Sequence, residues 1–266
     1  MYIDLLVYID VYLIFSQVKS GLKIAVIRVK MDIFEREKML IGDEAVKRLS
    51  GAKVALFGVG GVGGYVAEIL ARAGVGTIAV VDNDFVSPSN INRQIIATHE
   101  TIGKSKVQVA CDRLFQINPK INARPFEFFY DETTCDEIDL SKFDFIVDAI
   151  DTVTSKLLLI QNAKAVGVKI ISCMGTGNKY TTDFLIDDIS KTSVCPLCKV
   201  MRKELKVRNI SGVPVLYSLA EPKKPQNQIT ENGRHIPSSI SFAPAAAGIK
   251  IGEYVIKELL KGASNE

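Results

Sequence analysis

Residues 57–64 read FGVGGVGG, and this glycine-rich run decides the fold. The apolar residues 53–57 before it are typical of a buried strand, and residues 64–73 after it have the pattern of a helix. Glycines permit a tight turn and let phosphate oxygens approach backbone N–H groups at a helix start, where the helix dipole favours anions. A turn that serves only close packing is the alternative. The candidate phosphate-binding residues are Gly58, Gly60, Gly61 and Gly63.

Strands and helices alternate over the rest of residues 31–175. Further strands are predicted at 77–81, 123–130, 143–149 and 169–174, and further helices at 34–49, 104–118 and 152–166. Parallel strands need crossover connections, usually helices, and these crossovers are right-handed. The pattern therefore predicts an α/β fold with a doubly wound, mostly parallel, Rossmann-like sheet.

The pattern changes after residue 175. Short strands are predicted at 184–186 and 213–217, around a basic helix at 195–208, with a polar loop at 220–239 and a last helix at 245–260. We expect a smaller C-terminal α+β extension, so that 31–175 is the nucleotide-binding, Rossmann-like region and 176–266 the substrate-contacting region of the same domain. The residues of the last helix available for burial are Ile249, Val255, Ile256 and Leu259.

Composition restricts the class of protein. The chain has 266 residues, 47% of them hydrophobic, which suits a globular core. Its net charge of +3 does not mark a nucleic-acid binder, so any basic patch must be local. Five cysteines without a recognisable secretion signal favour a reducing, cytoplasmic compartment.

The first thirty residues differ from the rest. Asp4 and Asp10 interrupt their apolar run, so no stretch is long enough to span a bilayer, and a signal peptide would begin with basic residues. Met31 then opens a sequence typical of an enzyme start. Residues 1–30 are interpreted as an extension from an upstream start codon, with a peripheral membrane anchor as the alternative. We expect them to play no part in the chemistry.

Four charged residues follow the glycine loop in an order that suits ATP chemistry. Asp82 ends the second strand, where a carboxylate can hold ribose hydroxyls. Adenylation of a carboxylate brings several negative groups together, and Arg93 and Lys106 would neutralise and align them. Asp148 follows a strand, where it could hold a magnesium ion. An NAD-dependent dehydrogenase would have no evident use for the two cations. Solvated surface charges and helix caps are the alternative interpretation.

Five motifs in this order resemble those of the ubiquitin-activating-enzyme-like (ThiF/MoeB/HesA) superfamily, whose members adenylate carboxylates. They are GVGGVGG at 58–64, VDND at 81–84, SNINRQ at 89–94, GKSK at 103–106 and DAID at 148–151. The resemblance implies ATP contacts by the glycine loop, Asp82, Asp84, Asn90, Arg93 and Lys106, with magnesium on Asp148. It also implies a homodimer in which Arg36 reaches the partner's site in trans; a helix-surface charge is the alternative for Arg36.

Within that superfamily, residues 32–260 are similar to members that modify tRNA. The similarity lies in DDISKT at 187–192, PL at 196–197 and SISFAP at 239–244. It implies that ATP activates the carboxylate of a threonylcarbamoyl group on the adenosine 3′ of the anticodon. The ureido group would then attack, expel AMP and close a ring, a net dehydration. An activator of a ubiquitin-like sulfur-carrier protein and a non-catalytic nucleotide-binding module are the other hypotheses.

The helix at 195–208 carries a cluster of basic residues that could bind tRNA phosphates. A solvated helix face is the alternative. The candidate tRNA contacts are Lys199, Arg202, Lys203, Lys206 and Arg208.

One CxxC pair, Cys195 and Cys198, lies at the start of the basic helix. A structural zinc needs four ligands, and many superfamily members supply a second CxxC that this sequence lacks, so we do not expect zinc. Packed thiols are the leading interpretation, and redox chemistry or sulfur transfer with an unidentified partner protein remains open.

Overall fold

The computed structural model describes residues 12–16, 23–27, 32–227, 230–231 and 234–261. Most of the predicted extension 1–30 lies outside these residues. Its described part is an antiparallel pair of strands, β1 (Tyr12–Ser16) and β2 (Lys23–Ile27).

A seven-stranded sheet with helices on both faces forms the body of the chain. Its strands are β3 (Lys53–Phe57), β4 (Thr77–Val81), β5 (Asn122–Phe126), β6 (Phe145–Asp148), β7 (Lys169–Cys173), β8 (Leu185–Asp188) and β9 (Pro214–Tyr217). A two-residue pair, β10 (Thr230–Glu231) and β11 (Arg234–His235), lies apart from it. The helices are α1 (Glu35–Ile41), α2 (Asp43–Gly51), α3 (Gly63–Arg72), α4 (Lys106–Ile117), α5 (Val153–Ala165), α6 (Pro196–Val207) and α7 (Phe242–Leu260).

The strand order is β5-β4-β3-β6-β7-β9-β8, and every neighbouring pair is parallel except β8 with β9. The predicted doubly wound, mostly parallel sheet is therefore confirmed. The chain winds from β3 to β4 on one side and returns to β6 on the other. Such a reversal opens a crevice at the carboxyl ends of the strands. Strands β8 and β9, from the predicted C-terminal region, extend the same sheet.

The core has two layers because side chains alternate across the sheet. Val54 and Leu56 of β3 face a layer that includes α2, α3, α4 and α7. Ala55 and Phe57 face the layer with α5 and α6. On α7, Val255 and Leu259 are buried as expected, whereas Ile249 is half exposed, so its predicted burial is wrong.

Two glycines bring α7 unusually close to α3. A Cβ atom added at Gly248 would lie 2.5 Å from the Val62 carbonyl oxygen, and one at Gly252 would lie 2.6 Å from a methyl carbon of Ile69. No larger residue fits at either position without a shift. The close approach holds the start of α7 over the glycine loop, where Pro244 lies against Gly61.

Some element boundaries differ from the prediction. The predicted helix 34–49 is two helices, separated at Gly42, whose φ of +86° breaks the helical path. Strand β5 ends at Phe126 rather than at residue 130. Helix α7 begins before Pro244, which is tolerated in the first turn because the N–H groups there have no helical acceptor.

Candidate functional site

The glycine loop joins β3 to α3 at the carboxyl edge of the sheet, that is, where the parallel strands have their carboxyl ends. Gly58 has a φ of +86°, and a Cβ there would lie 2.6 Å from the Ala149 carbonyl oxygen; a Cβ at Gly63 would meet the Gly58 carbonyl oxygen at 1.8 Å. The chain itself needs these two glycines. At Gly60 the nearest atom to an added Cβ is Nε2 of Gln94, at an ordinary 3.7 Å. The bare backbone there leaves room for a ligand, as the sequence predicts for a phosphate.

Asp82 holds the glycine loop from the neighbouring strand. Its Oδ2 accepts the backbone N–H of Val59 at 2.7 Å, and its Oδ1 accepts that of Asp84 at 2.9 Å. Burial raises the pKa of Asp82, while these donors and the charge of Lys106 oppose the rise. The carboxylate of Asp82 thus lies beside the glycine loop. A nucleotide whose ribose contacts this carboxylate would have its phosphates over the loop. The predicted ribose contact stays a prediction.

Lys106 begins α4 and is buried, and its ammonium group pairs with the carboxylate of Asp84, which follows β4. Its Nζ donates to Oδ2 of Asp84 at 2.7 Å, and its backbone N–H donates to the Asp84 carbonyl oxygen at 3.0 Å. Asp84, predicted as an ATP contact, therefore orients a cation of the site.

Arg93 lies beside the glycine loop, since its Cγ is 3.6 Å from the position of an added Cβ at Gly61. Its Nη1 donates to the Ser89 carbonyl oxygen at 2.8 Å and to Oδ1 of Asn92 at 3.0 Å. Asn90 is buried and its side chain closes the preceding turn by accepting a backbone N–H. Burial lowers the pKa of Arg93, so its guanidinium is partly removed from water. These bonds fix the cation before any ligand binds.

Gln94 is a further residue of the site that the sequence pattern does not single out. Its side chain is buried next to Gly60, and its Oε1 has no hydrogen-bond partner among the described residues. Buried polar atoms are normally paired, so this oxygen is available to a ligand donor. The signal in the sequence is only its place after Arg93 in the SNINRQ motif.

Asp148 ends β6 and is fully buried with Lys156 of α5, which sequence analysis did not identify. Nζ of Lys156 lies 3.0 Å from both carboxylate oxygens of Asp148. The Ser172 hydroxyl donates to Oδ2, and the Ile150 backbone N–H donates to Oδ1 at 3.1 Å. Each oxygen of Asp148 therefore accepts two hydrogen bonds already.

This arrangement does not suit a magnesium ligand. A carboxylate bound to Mg²⁺ must place an oxygen about 2.0–2.1 Å from the ion, in a direction that no other donor occupies. Both oxygens of Asp148 are already used by Lys156, Ser172 and Ile150. Among the residues that the structure describes, no group of three or more His, Cys, Asp or Glu is arranged to hold a metal ion. The predicted magnesium role of Asp148 stays a prediction that requires Lys156 to move.

Arg36 does not reach this site within its own chain. It is exposed on α1, and neighbouring Phe34 packs against Gly74, which connects the end of α3 to the start of β4. That connection lies at the opposite edge of the sheet from the glycine loop. A role for Arg36 in nucleotide binding would therefore have to be in trans, as the resemblance implies.

The predicted tRNA contacts on α6 fall into two groups. Lys199, Lys203 and Lys206 are exposed, and they make no salt bridge within the described part of the chain. Arg202 donates to the Thr192 carbonyl oxygen at 2.8 Å, and Arg208, the residue after α6, pairs with Glu204 of that helix at 2.7 Å. Three lysines therefore offer unpaired charge, while the two arginines stabilise α6 and its surroundings.

The cysteine pair lies at the start of α6, and both side chains are buried. The Cys198 thiol and the backbone N–H groups of Cys198, Gly175 and Leu197 donate to Cys195 and lower its pKa. The same contact and burial raise the pKa of Cys198. The Cys198 thiol therefore donates a hydrogen bond to the sulfur of Cys195 inside the fold.

None of the helices in the described ranges is both long enough and apolar enough to cross a membrane.

The chain is similar in sequence to known proteins over most of its length. The sequence profile of the ThiF family matches residues 34–265. Over 240 residues the chain is 37% identical to the tRNA threonylcarbamoyladenosine dehydratase of Bacillus subtilis, covering 86% of this chain and 94% of that protein. It is 35% identical over 186 residues to the tRNA threonylcarbamoyladenosine dehydratase 2 of Saccharomyces cerevisiae, covering 68% of this chain and 42% of that one.

Two solved structures of the E. coli tRNA N6-threonylcarbamoyladenosine dehydratase share the fold. The complex with ATP matches with a TM-score of 0.78 at 26% identity, covering 88% of this chain and 96% of the other. The complex with AMP matches with a TM-score of 0.78 at 27% identity, covering 86% and 94%.

Proposed function

The chain belongs to the ThiF family, and we propose that it uses ATP to adenylate and dehydrate threonylcarbamoyladenosine beside the anticodon of tRNA. The observation that carries this function is the convergence of Arg93 and the Lys106–Asp84 pair on a glycine loop with open backbone at Gly60. The match over almost the whole length of the Bacillus subtilis enzyme gives the substrate.

In the first step a carboxylate oxygen of the threonylcarbamoyl group attacks the α-phosphorus of ATP, and pyrophosphate leaves. The backbone N–H groups at the start of α3 hold the phosphates, and Asp82 holds the ribose from the end of β4. Arg93 and Lys106 face the negative charge that grows on the phosphate oxygens. Since Ser89 and Asn92 already fix Arg93, little reorganisation is needed as the transition state forms.

In the second step the ureido group attacks the activated carbonyl carbon and expels AMP. Ring closure and loss of a proton complete a net loss of one water from the nucleoside, while ATP becomes AMP and pyrophosphate. This step needs no further nucleophile from the protein, because the attacking atom belongs to the substrate. The protein's contribution is to hold the ureido group and the activated carbonyl carbon of the same nucleoside close together.

The tRNA would bind across α6 through Lys199, Lys203 and Lys206, whose charges have no acidic partner in the described residues. Such phosphate contacts position an RNA without reading its sequence. Arg36 would complete the site of a second subunit in a homodimer, since it lies at the far edge of its own sheet. A tRNA substrate supports the cytoplasmic location expected from the sequence.

Magnesium would enter with ATP, because a divalent ion neutralises the pyrophosphate leaving group. Asp148 would reach it only in a state in which Lys156 has left the carboxylate. The ion would supply charge neutralisation only, and the steps above rest on the chain's own residues.

The test is a reaction of the purified chain with ATP and tRNA that carries threonylcarbamoyladenosine. Mass spectrometry of the digested nucleosides should show the loss of one water from that nucleoside, with one AMP formed per ring closed. The same protein with Arg93→Ala is the control. ATP consumption that requires a ubiquitin-like carrier protein instead of tRNA would overturn the proposal in favour of carrier activation.

A further inference from the structure

The ion pair between Asp148 and Lys156 lies at the edge of the sheet where the nucleotide would bind. Both side chains are fully buried, and Asp148 follows directly after the strand that neighbours β3. Ala149, the next residue, touches the glycine loop through its carbonyl oxygen at Gly58. The pair is therefore within one residue of the phosphate-binding loop, although solvent does not reach it in this state.

Lys156 is a complete counter-ion for this carboxylate. Its Nζ spans both oxygens at 3.0 Å, so the positive charge lies on the bisector of the carboxylate. An ionised carboxylate in such a dry position is stable only when it is paired, and breaking the pair by removing one partner is strongly destabilising. A divalent cation would need the same oxygens and would be repelled by the ammonium group.

We propose that Lys156 is the resident cation of Asp148 and that Lys156 and a divalent metal ion exclude each other at this carboxylate. Lys156 is then a positioning residue: it holds both oxygens of Asp148 in the free protein, until a metal that arrives with the nucleotide displaces it. The proposal rests on the ATP-dependent function above only for the source of the metal. Its central claim concerns the free protein.

Mn²⁺ is the probe, because it prefers the same oxygen ligands as Mg²⁺ and free Mn²⁺ is measured directly by electron paramagnetic resonance. Without nucleotide, the parental protein should bind Mn²⁺ as weakly as the neutral double variant Asp148→Asn with Lys156→Met, since Lys156 occupies the carboxylate of the parental protein. Lys156→Met keeps an unbranched side chain up to the Cε position and removes the ammonium group. It should bind Mn²⁺ roughly tenfold more tightly or better than the parental protein, because no ammonium has to be displaced.

Three variants separate this exchange from a merely structural role. Lys156→Arg keeps the positive charge and should bind Mn²⁺ as weakly as the parental protein. The double variant Asp148→Asn with Lys156→Met has a neutral pair, so it should fold and lose the tight site. Thermal unfolding should show that Mn²⁺ raises the Tm of Lys156→Met but not that of the double variant.

Two outcomes would overturn the proposal. One is a folded Lys156→Met that binds Mn²⁺ no better than the parental protein. The other is a parental protein that binds Mn²⁺ more tightly than the neutral double variant without nucleotide, a comparison that does not depend on the folding of either single variant. Neither measurement uses tRNA, so a failure of the tRNA reaction alone would leave this result standing.

Discussion

Replacing Arg93 by alanine should slow adenylation by a large factor while leaving the fold intact. The guanidinium is held beside the glycine loop by Ser89 and Asn92, so in the proposed reaction it would meet the phosphates without first being ordered. Loss of one preorganised donor of this kind costs about 10²–10³ in kcat, or about 2.7–4 kcal/mol. The two lost hydrogen bonds are on a half-exposed side chain, so the free energy of unfolding should fall by no more than about 1–2 kcal/mol.

The assay is single-turnover release of pyrophosphate from ATP, with saturating ATP and modified tRNA. Arg93→Lys keeps the charge and loses the fork, so its rate should lie between those of the parental protein and Arg93→Ala. Asp82→Asn should mainly raise the KM for ATP, measured in a steady-state reaction at varied ATP, because the proposed ribose contact is equal in the ground and transition states. Arg124→Ala, which removes an exposed arginine of β5, is the matched control and should react at the parental rate.

A parental rate for Arg93→Ala would refute the assignment of Arg93 to the reacting phosphates. An equal loss in Arg93→Ala and Arg124→Ala would show instead that the rate follows general surface charge. A lower rate accompanied by a large fall in Tm would point to damage of the glycine loop.

Three other predictions concern the surroundings of the site. Gly248→Ala should lower the free energy of unfolding by about 1–3 kcal/mol in urea denaturation, because its Cβ would push α7 away from α3. The same displacement should weaken ATP binding. An unchanged midpoint of the urea denaturation curve would contradict that packing. Replacing Lys199, Lys203 and Lys206 by alanine should flatten the plot of log K against log salt for tRNA binding by about 0.7–0.9 per lysine that contacts a phosphate, and an unaltered slope would remove α6 from the interface. Burial alone would raise the pKa of Glu68, but its two arginine partners hold the pKa below the usual value. Glu68→Gln should therefore have a lower free energy of unfolding than the parental protein at pH 7. The difference should disappear as pH falls below about 4, because Glu68 of the parental protein is then protonated.

The fold was predictable from the sequence because its signals are local. The glycine run at 57–64 and the alternation of apolar strands with helices determine the sheet, and the strand order agrees with that interpretation. The break at Gly42 was not predicted, since α1 and α2 share one continuous apolar periodicity. Ile249 also fits the helical pattern, but Gly248 and Gly252 mark the face of α7 that contacts α3.

The placement of three charged residues was predictable, because they lie between the end of β4 and the first residue of α4. Asp82, Arg93 and Lys106 all lie at the carboxyl edge, as their order along the chain predicts. Lys156 was not predictable, because it lies within the helical run KLLLIQ and meets Asp148 only when α5 packs back on β6. The unpaired oxygen of Gln94 likewise depends on its burial, which no local pattern reports.

The contact of α7 with α3 has a consequence for synthesis on the ribosome. The glycine loop and α3 are translated early, whereas α7, whose first turn brings Pro244 against Gly61, is translated late. A nascent chain that has completed the central strands still lacks the helix that covers one face of its first βαβ unit. Such long-range closure makes folding slow and leaves apolar surface exposed until it occurs. The surroundings of the glycine loop are therefore completed only after α7 has left the ribosome. Unfinished chains should neither bind ATP nor bind tRNA.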